Sequence, residues 1–226
     1  MLRGQPLVLV SGIDLPQDVA VARPSATFEN ETVAGSTGCN RFTAGFTIDG
    51  ASLGIGEIAT TRMACAPPAD AIERDYLAAL GKVAGWRTED DAIVLVDADE
   101  AELLRYERAT PVGSWQVTGL LSGDAFTSPL AGTKLTATFE DGGHLGGSSG
   151  CNTYTAEFTT DKGAIQIAAV AGTEKACAEP AGVMEQEATY LALLPTAAVF
   201  RLDGRALELL DVDRKRLVSF TRASQP

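Results

Sequence analysis

The chain has 226 residues, of which 45% are hydrophobic and 21% charged, and a formal net charge of −12. That apolar fraction is enough to bury a core and excludes disorder, while the length exceeds the about 100–150 residues of a common single domain. Both halves are acidic, with nine basic against seventeen acidic residues up to Pro111 and nine against thirteen after it. Such a surface repels phosphate backbones and anionic headgroups, so nucleic acid is excluded as a partner.

Along the chain, the first apolar stretch, Pro6 to Val10, is too short for a signal-peptide core and no small-residue cleavage site follows it. A leader was therefore either removed or never carried. No run approaches the ~18 apolar residues that span a bilayer, so no membrane span is expected. Asn30-Glu31-Thr32 has the form of a glycosylation sequon, which in a bacterial-looking chain is a coincidence of pattern. From Asp70 to Val83 the apolar residues Ile72, Tyr76, Leu80 and Val83 recur at helical spacing, and Asp70 with Glu73 has the form of a capping box. Asp97, Asp99, Glu100 and Glu102 match a calcium loop only in charge, without its sixth-position glycine or terminal glutamate, and read as a hairpin turn. Ala109-Thr110-Pro111 closes the first half, since proline ends a strand.

The second half reads as short alternating or β-branched strands at Gly113 to Val117, Lys134 to Phe139, Asn152 to Phe158, Ala206 to Leu210 and Arg216 to Phe220. Asp141-Gly142 and Asp203-Gly204 mark hairpins between them. A second helix is expected from about Pro180 to Leu194, with Met184, Ala188 and Leu191 on one face.

The halves repeat one another. Cys39 and Cys151 stand 112 positions apart, as do Cys65 and Cys177. The same offset lays Gly35-Ser36-Thr37 on Gly147-Ser148-Ser149, Phe42 on Tyr154, Phe46 on Phe158 and Thr61 on Thr173. Beyond the second cysteine the offset is 114, carrying Tyr76 onto Tyr190, Trp86 onto Phe200, Asp97 onto Asp211 and Tyr106 onto Phe220. A register kept this far implies a duplicated domain. The expected fold is α+β and strand-rich: two tandem domains, 1–109 and 112–226, each a curled antiparallel sheet, open and barrel-like, with one helix. The first has a shortened N-terminal strand region, lacking the Gly113-Ser114-Trp115 start of the second.

The segments GSTGCNRFTAGF (Gly35 to Phe46) and ATTRMACAP (Ala59 to Pro67), then a helix with Tyr76-Leu77 and two C-terminal strands, resemble the META domain of the HslJ-like heat-shock lipoproteins. The second copy keeps GSSGCNTYTAEF but reads Thr173-Glu174-Lys175 where the family has Thr-Arg-Met, so any role of the Arg62-Met63 pair is lost from it. The resemblance implies a bacterial envelope protein, periplasmic or secreted and lipid-anchored in some members, that serves stress tolerance or envelope maintenance through contacts with a protein or envelope component. It implies no catalytic centre and no cofactor. A likeness to the cracked barrels of secretion pilotins adds an alternative, a carrier of an apolar ligand such as an acyl chain; a hydrolase ranks last.

In an oxidising envelope the two equivalent cysteine pairs imply one bridge per domain, Cys39 to Cys65 and Cys151 to Cys177. The alternative is a reduced pair packed as small apolar residues. One histidine, His144, and cysteines without Cys-x-x-Cys spacing do not supply four zinc ligands, and no metal is expected. His144 reads as an exposed turn residue, and the glycines around it as a hairpin or bulge, since no lysine and no helix follow as a phosphate loop requires. Glu73 with Asp75, and Glu185 with Glu187, read as exposed helix positions, a weak basis for acid–base work. The motif residues without an assigned role are Asn40, Arg41, Thr61, Arg62, Met63, Asn152 and Thr173; the asparagines are expected to satisfy backbone groups where a strand bends.

Overall fold

A computed structural model describes residues 2–16, 22–203 and 206–223, and the chain divides into two compact units at the Ala109–Thr110 junction. In the first unit alternation builds the sheet. Along β4 (Arg41–Asp49), Phe42, Ala44 and Phe46 point to the core while Arg41, Thr43 and Gly45 face outward, the two-residue period of a strand buried on one side. The other strands are β1 (Pro6–Ser11), β2 (Ser25–Glu29), β3 (Thr32–Ser36), β5 (Ser52–Ile55), β6 (Ala59–Thr60), β7 (Gly85–Glu89), β8 (Ala92–Val96) and β9 (Glu102–Arg108), with helix α1 (Ala69–Leu80) between β6 and β7.

Their order is β3-β2-β1-β9-β8-β7-β5-β4, and β3 pairs with β4 from Thr32↔Gly45 to Ser36↔Arg41. The sheet therefore closes into an eight-stranded barrel rather than staying open, with β6 as a short extra partner of β4. The thinnest seam is β5 to β7, where Ser52 faces Gly85 as the one ladder pair. It falls where the helix-bearing connection leaves the wall.

The second unit repeats this plan. Strands β10 (Gly113–Ser122), β12 (Thr136–Phe139), β13 (His144–Ser148), β14 (Thr153–Asp161), β15 (Ala164–Gly172), β16 (Val199–Asp203), β17 (Ala206–Leu210) and β18 (Arg216–Arg222) follow one another around the wall, and β10 pairs with β18 to close it. A short β11 (Ala125–Thr127) folds back on the end of β10. Helix α2 (Val183–Leu193) precedes β16.

Each barrel is filled by its own side chains, as the interior of an eight-stranded barrel allows. Phe28 meets Phe46 edge-on at 5.2 Å in the first, and Phe139 meets Phe158 at 5.0 Å in the second. Trp115, Tyr154, Phe200 and Phe220 extend the second core. Tyr76 and Leu80 bring the apolar face of α1 into the first core, and Tyr190 with Leu194 does the same after the second.

The helices depart from expectation in two ways. No capping box forms: Pro68 is the N-cap of α1 with no side-chain bond, and Glu73 turns inward instead. In α2 the buried face is Val183, Gln186, Glu187 and Tyr190, not Met184, Ala188 and Leu191; Met184 is exposed and Leu191 only half-buried. The rotation follows from Tyr190 and Glu187, whose buried hydrogen bonds fix the face that apolar periodicity alone misplaced.

The turns carry local chemistry. Gly143, at φ +82°, takes the left-handed position of the Glu140–His144 hairpin, where a side chain would meet the Phe158 carbonyl at 2.9 Å. Asp97 Oδ1 accepts from the Asp99 and Ala101 N–H groups, and Asp211 Oδ1 from those of Asp213 and Lys215, so both acidic runs are hairpin turns. Asn30 and Glu31, both at positive φ, form the β2–β3 turn. The Asp203-Gly204 turn lies in part outside the described residues.

Candidate functional site

In both units the sequence between the third and fourth strands turns back through a glycine at strongly positive φ, Gly38 at +97° and Gly150 at +114°. The turn is closed by Thr37 N–H to the Asn40 carbonyl and by Ser149 N–H to the Asn152 carbonyl, both 2.8 Å. It aims the asparagine inward, where Asn40 and Asn152 are each only 2% exposed.

In the second unit the Asn152 side chain uses its full hydrogen-bonding capacity. Its Oδ1 accepts from Thr173 Oγ1 at 2.6 Å and from Lys175 N–H at 2.8 Å; its Nδ2 donates to the Lys175 carbonyl at 3.0 Å and to Glu187 Oε1 at 2.7 Å. The Asn152 N–H and the Ser149 hydroxyl reach Glu187 Oε2 at 2.8 and 2.6 Å. Burial by itself would raise the Glu187 carboxyl. The Ser149 hydroxyl, the Asn152 side chain and the backbone N–H groups of Asn152 and Cys151 outweigh it and hold the group below the usual carboxylate range.

The first unit builds the same bracket from the same positions. Asn40 Oδ1 accepts from Thr61 Oγ1 and Met63 N–H, each at 2.8 Å, and Nδ2 donates to the Met63 carbonyl at 3.2 Å and Glu73 Oε1 at 3.1 Å. Thr37 and the Asn40 N–H meet Glu73 Oε2. One asparagine thus ties three elements: the turn before β4 or β14, the segment after β6 or β15, and the helix. A disulfide runs beside it, Cys39–Cys65 in the first unit and Cys151–Cys177 in the second, each joining Cα atoms 6.0 Å apart.

Asn40, Thr61, Asn152 and Thr173 are therefore brought together with the cysteines, pair by pair. Arg41 and Arg62 face outward, and Met63 is 59% exposed. What the bracket takes from Met63 is its backbone, and Lys175 supplies the same N–H and carbonyl, so this role survives the change from Thr-Arg-Met to Thr-Glu-Lys. Sequence reading missed the two glutamates. Glu187 is only 6% exposed and Glu73 is half-buried, contrary to the exposed positions expected of them; the 114-residue offset that lays one on the other was the available signal. The Cys39 and Cys65 sulfurs and a Glu73 oxygen lie within 4.8 Å of one another, but the sulfurs are bonded to each other and present no thiolate to a metal. His144 is exposed at the start of β13.

The META domain family model matches twice, over residues 7–110 and 109–224. The chain belongs to the META domain family. Two META domains in tandem thus account for nearly its whole length. Among solved structures it is similar to a protein from Burkholderia xenovorans determined by NMR, 25% identical over 48% of this chain and 84% of that one, TM-score 0.41. A second NMR structure is 25% identical over 47% of this chain and 91% of that one, TM-score 0.38. A DUF4847 family protein from Bacteroides vulgatus is 16% identical over 50% and 94%, TM-score 0.34. No curated protein matches the chain.

Proposed function

We propose that this tandem META domain chain is a non-catalytic, extracytoplasmic module that serves stress tolerance or envelope maintenance through contacts of its outer surfaces with a protein or envelope component. The observation that carries this reading is where the polar groups go. Among the described residues, every buried side-chain nitrogen or oxygen has a hydrogen-bond partner, and the repeated asparagine, hydroxyl and carboxylate of each unit are spent on backbone and helix. A group so committed is a poor nucleophile or base, since catalysis needs it within reach of a substrate. The aromatic packing inside both barrels weighs against the carrier reading, because an acyl chain would have to displace it. Two disulfides favour an oxidising compartment, and among the described residues no helix is long and apolar enough to cross a membrane.

The test is native mass spectrometry of protein isolated from its own cells without reductant, paired with crosslinking in intact cells. The expected result is bare protein mass with both bridges oxidised, and a crosslink to an envelope component. An acyl-sized mass adduct would move the assignment to a carrier, and reduced cysteines with only cytoplasmic crosslinks would sink the envelope reading.

A further inference from the structure

Position 186 shows a difference between the units. Gln186 stands where the 114-residue offset puts Ile72 in the first unit, and both are buried. A buried amide is costly unless bonded, and both ends of this one go to a single segment: Oε1 accepts from the Leu130 N–H at 2.6 Å and Nε2 donates to Thr133 Oγ1 at 3.1 Å. Thr133 Oγ1 in turn donates to the Leu130 carbonyl at 2.7 Å. The amide locks residues 130–133 onto α2, and Leu130, the start of α2 and the β10–β11 hairpin border an open-sided cleft of about 230 Å³.

The Gln186 amide and the Thr189 hydroxyl, which donates to the Glu185 carbonyl at 2.8 Å, are committed within the fold, whereas the other polar side chains of the cleft face outward without such bonds. Leu120, 2% exposed, and Leu130, 37% exposed, give it apolar surface. Ser122, Thr127 and Ser128 bring hydroxyls, and Glu185 the only charge in the lining. None of these hydroxyls, nor the Glu185 carboxylate, makes a hydrogen bond or ion pair among the described residues. We propose that the second unit binds an alkylammonium group here, the chemistry shared by a lysine side chain and a polyamine.

The ammonium offers three donors to oxygens that can only or readily accept, and its methylene stem rests on the two leucines as such stems do on apolar surface. Glu185 repels a carboxylate or phosphate, and the net charge of −12 concentrates cations at the surface. The site stands on its own geometry and does not depend on the function proposed above.

Amide NMR titration of the full chain with butylammonium, with butyrate and butanol as controls, tests it. Saturable shifts are expected at Ser122, Thr127, Leu130 and Gln186 with butylammonium and not with butyrate. Glu185→Gln, an exposed substitution in the first turn of α2 that costs a small part of helix stability and keeps the fold, weakens binding about three- to five-fold, the loss of one exposed ion pair. Repeating the titration with Nα-acetyl-lysine amide and with spermidine separates the sources, and Glu185-dependent binding of either supports the site. Absence of saturable shifts, equal response to butyrate, or affinity indifferent to Glu185→Gln overturns it.

Discussion

The hydroxyl of Tyr106 donates to that of Tyr76 across 2.8 Å in the core of the first unit. Tyr190 is the counterpart of Tyr76 and also meets a tyrosine hydroxyl at 2.8 Å, but from Tyr154 on β14, whereas Tyr106 stands on β9. Where one unit has Tyr the other has Phe: Phe42 corresponds to Tyr154, and Phe220 to Tyr106. The helix hydroxyl keeps a partner in both units, drawn from different walls of the barrel.

This exchange predicts unequal mutants. Tyr106→Phe strands the fully buried Tyr76 hydroxyl and is expected to destabilise by about 1–3 kcal/mol. Tyr190→Phe leaves Tyr154 bonded to the Thr136 carbonyl at 3.1 Å and is expected to cost about 1 kcal/mol. Adding Phe42→Tyr to Tyr106→Phe rebuilds the second unit's arrangement and should restore part of the loss. Urea unfolding of the full chain reads all three, and a double mutant no better than Tyr106→Phe would refute the exchange.

The four tyrosines of the chain are these four residues, and burial pushes all of them above their ordinary value of 10.0. A raised folded value means that the tyrosine contribution to stability is present below pH 10.0 and lost as pH rises past it. Absorbance titration at alkaline pH should therefore show no tyrosinate while the fold persists, then a rise coincident with loss of circular dichroism. A tyrosinate signal ahead of unfolding would contradict the buried pairs.

Glu187 makes the opposite case at acid pH. Its folded value lies below the ordinary 4.5, so its contribution is present above that pH and is lost as pH falls through the folded value. Glu187→Ala, which takes the acceptor from the Asn152 N–H and from one proton of its side-chain amide and leaves the Ser149 hydroxyl only the Asn152 carbonyl, is expected to destabilise by roughly 2–4 kcal/mol and to flatten the acid limb of stability against pH. Glu73→Ala, at a half-buried position, should cost less. Unfolding midpoints measured across acid pH check both; an unchanged acid limb in Glu187→Ala would assign the pH dependence to other groups.

Each disulfide closes a loop of 26 residues, and removing either pair by Cys→Ala is expected to cost about 3 kcal/mol in the chain-entropy description. Non-reducing peptide mapping should recover Cys39 with Cys65 and Cys151 with Cys177, and no free thiol. Free alkylation of all four in exported protein would show them reduced.

Most of the strand plan was legible because the chain states it twice, and β-alternation such as Thr153 to Phe158 is a local signal. Barrel closure was not, since the pairings of β1 with β9 and β10 with β18 join residues about a hundred positions apart and leave no trace in either strand's own pattern. Periodicity also misjudged α2. It treats Gln186 and Glu187 as solvent-facing, as such residues usually are, while their partners at Leu130, Ser149 and Asn152 lie far off in the chain.

Because β1 lies beside β9, and β10 beside β18, each barrel begins and finishes on neighbouring strands: the Ala109 N–H reaches the Pro6 carbonyl at 2.8 Å, and the Ala223 N–H reaches that of Ser114 at 2.9 Å. A barrel of this kind is a cassette whose two ends leave side by side. Copying it into a longer gene opens no wall and moves no register, so a duplicate can be spliced in at its ends without refitting either interior. The same adjacency makes the second barrel a natural subject for circular permutation, with the old ends joined by a short tether and new ones cut between the exposed Asp161 and Lys162 of the β14–β15 turn.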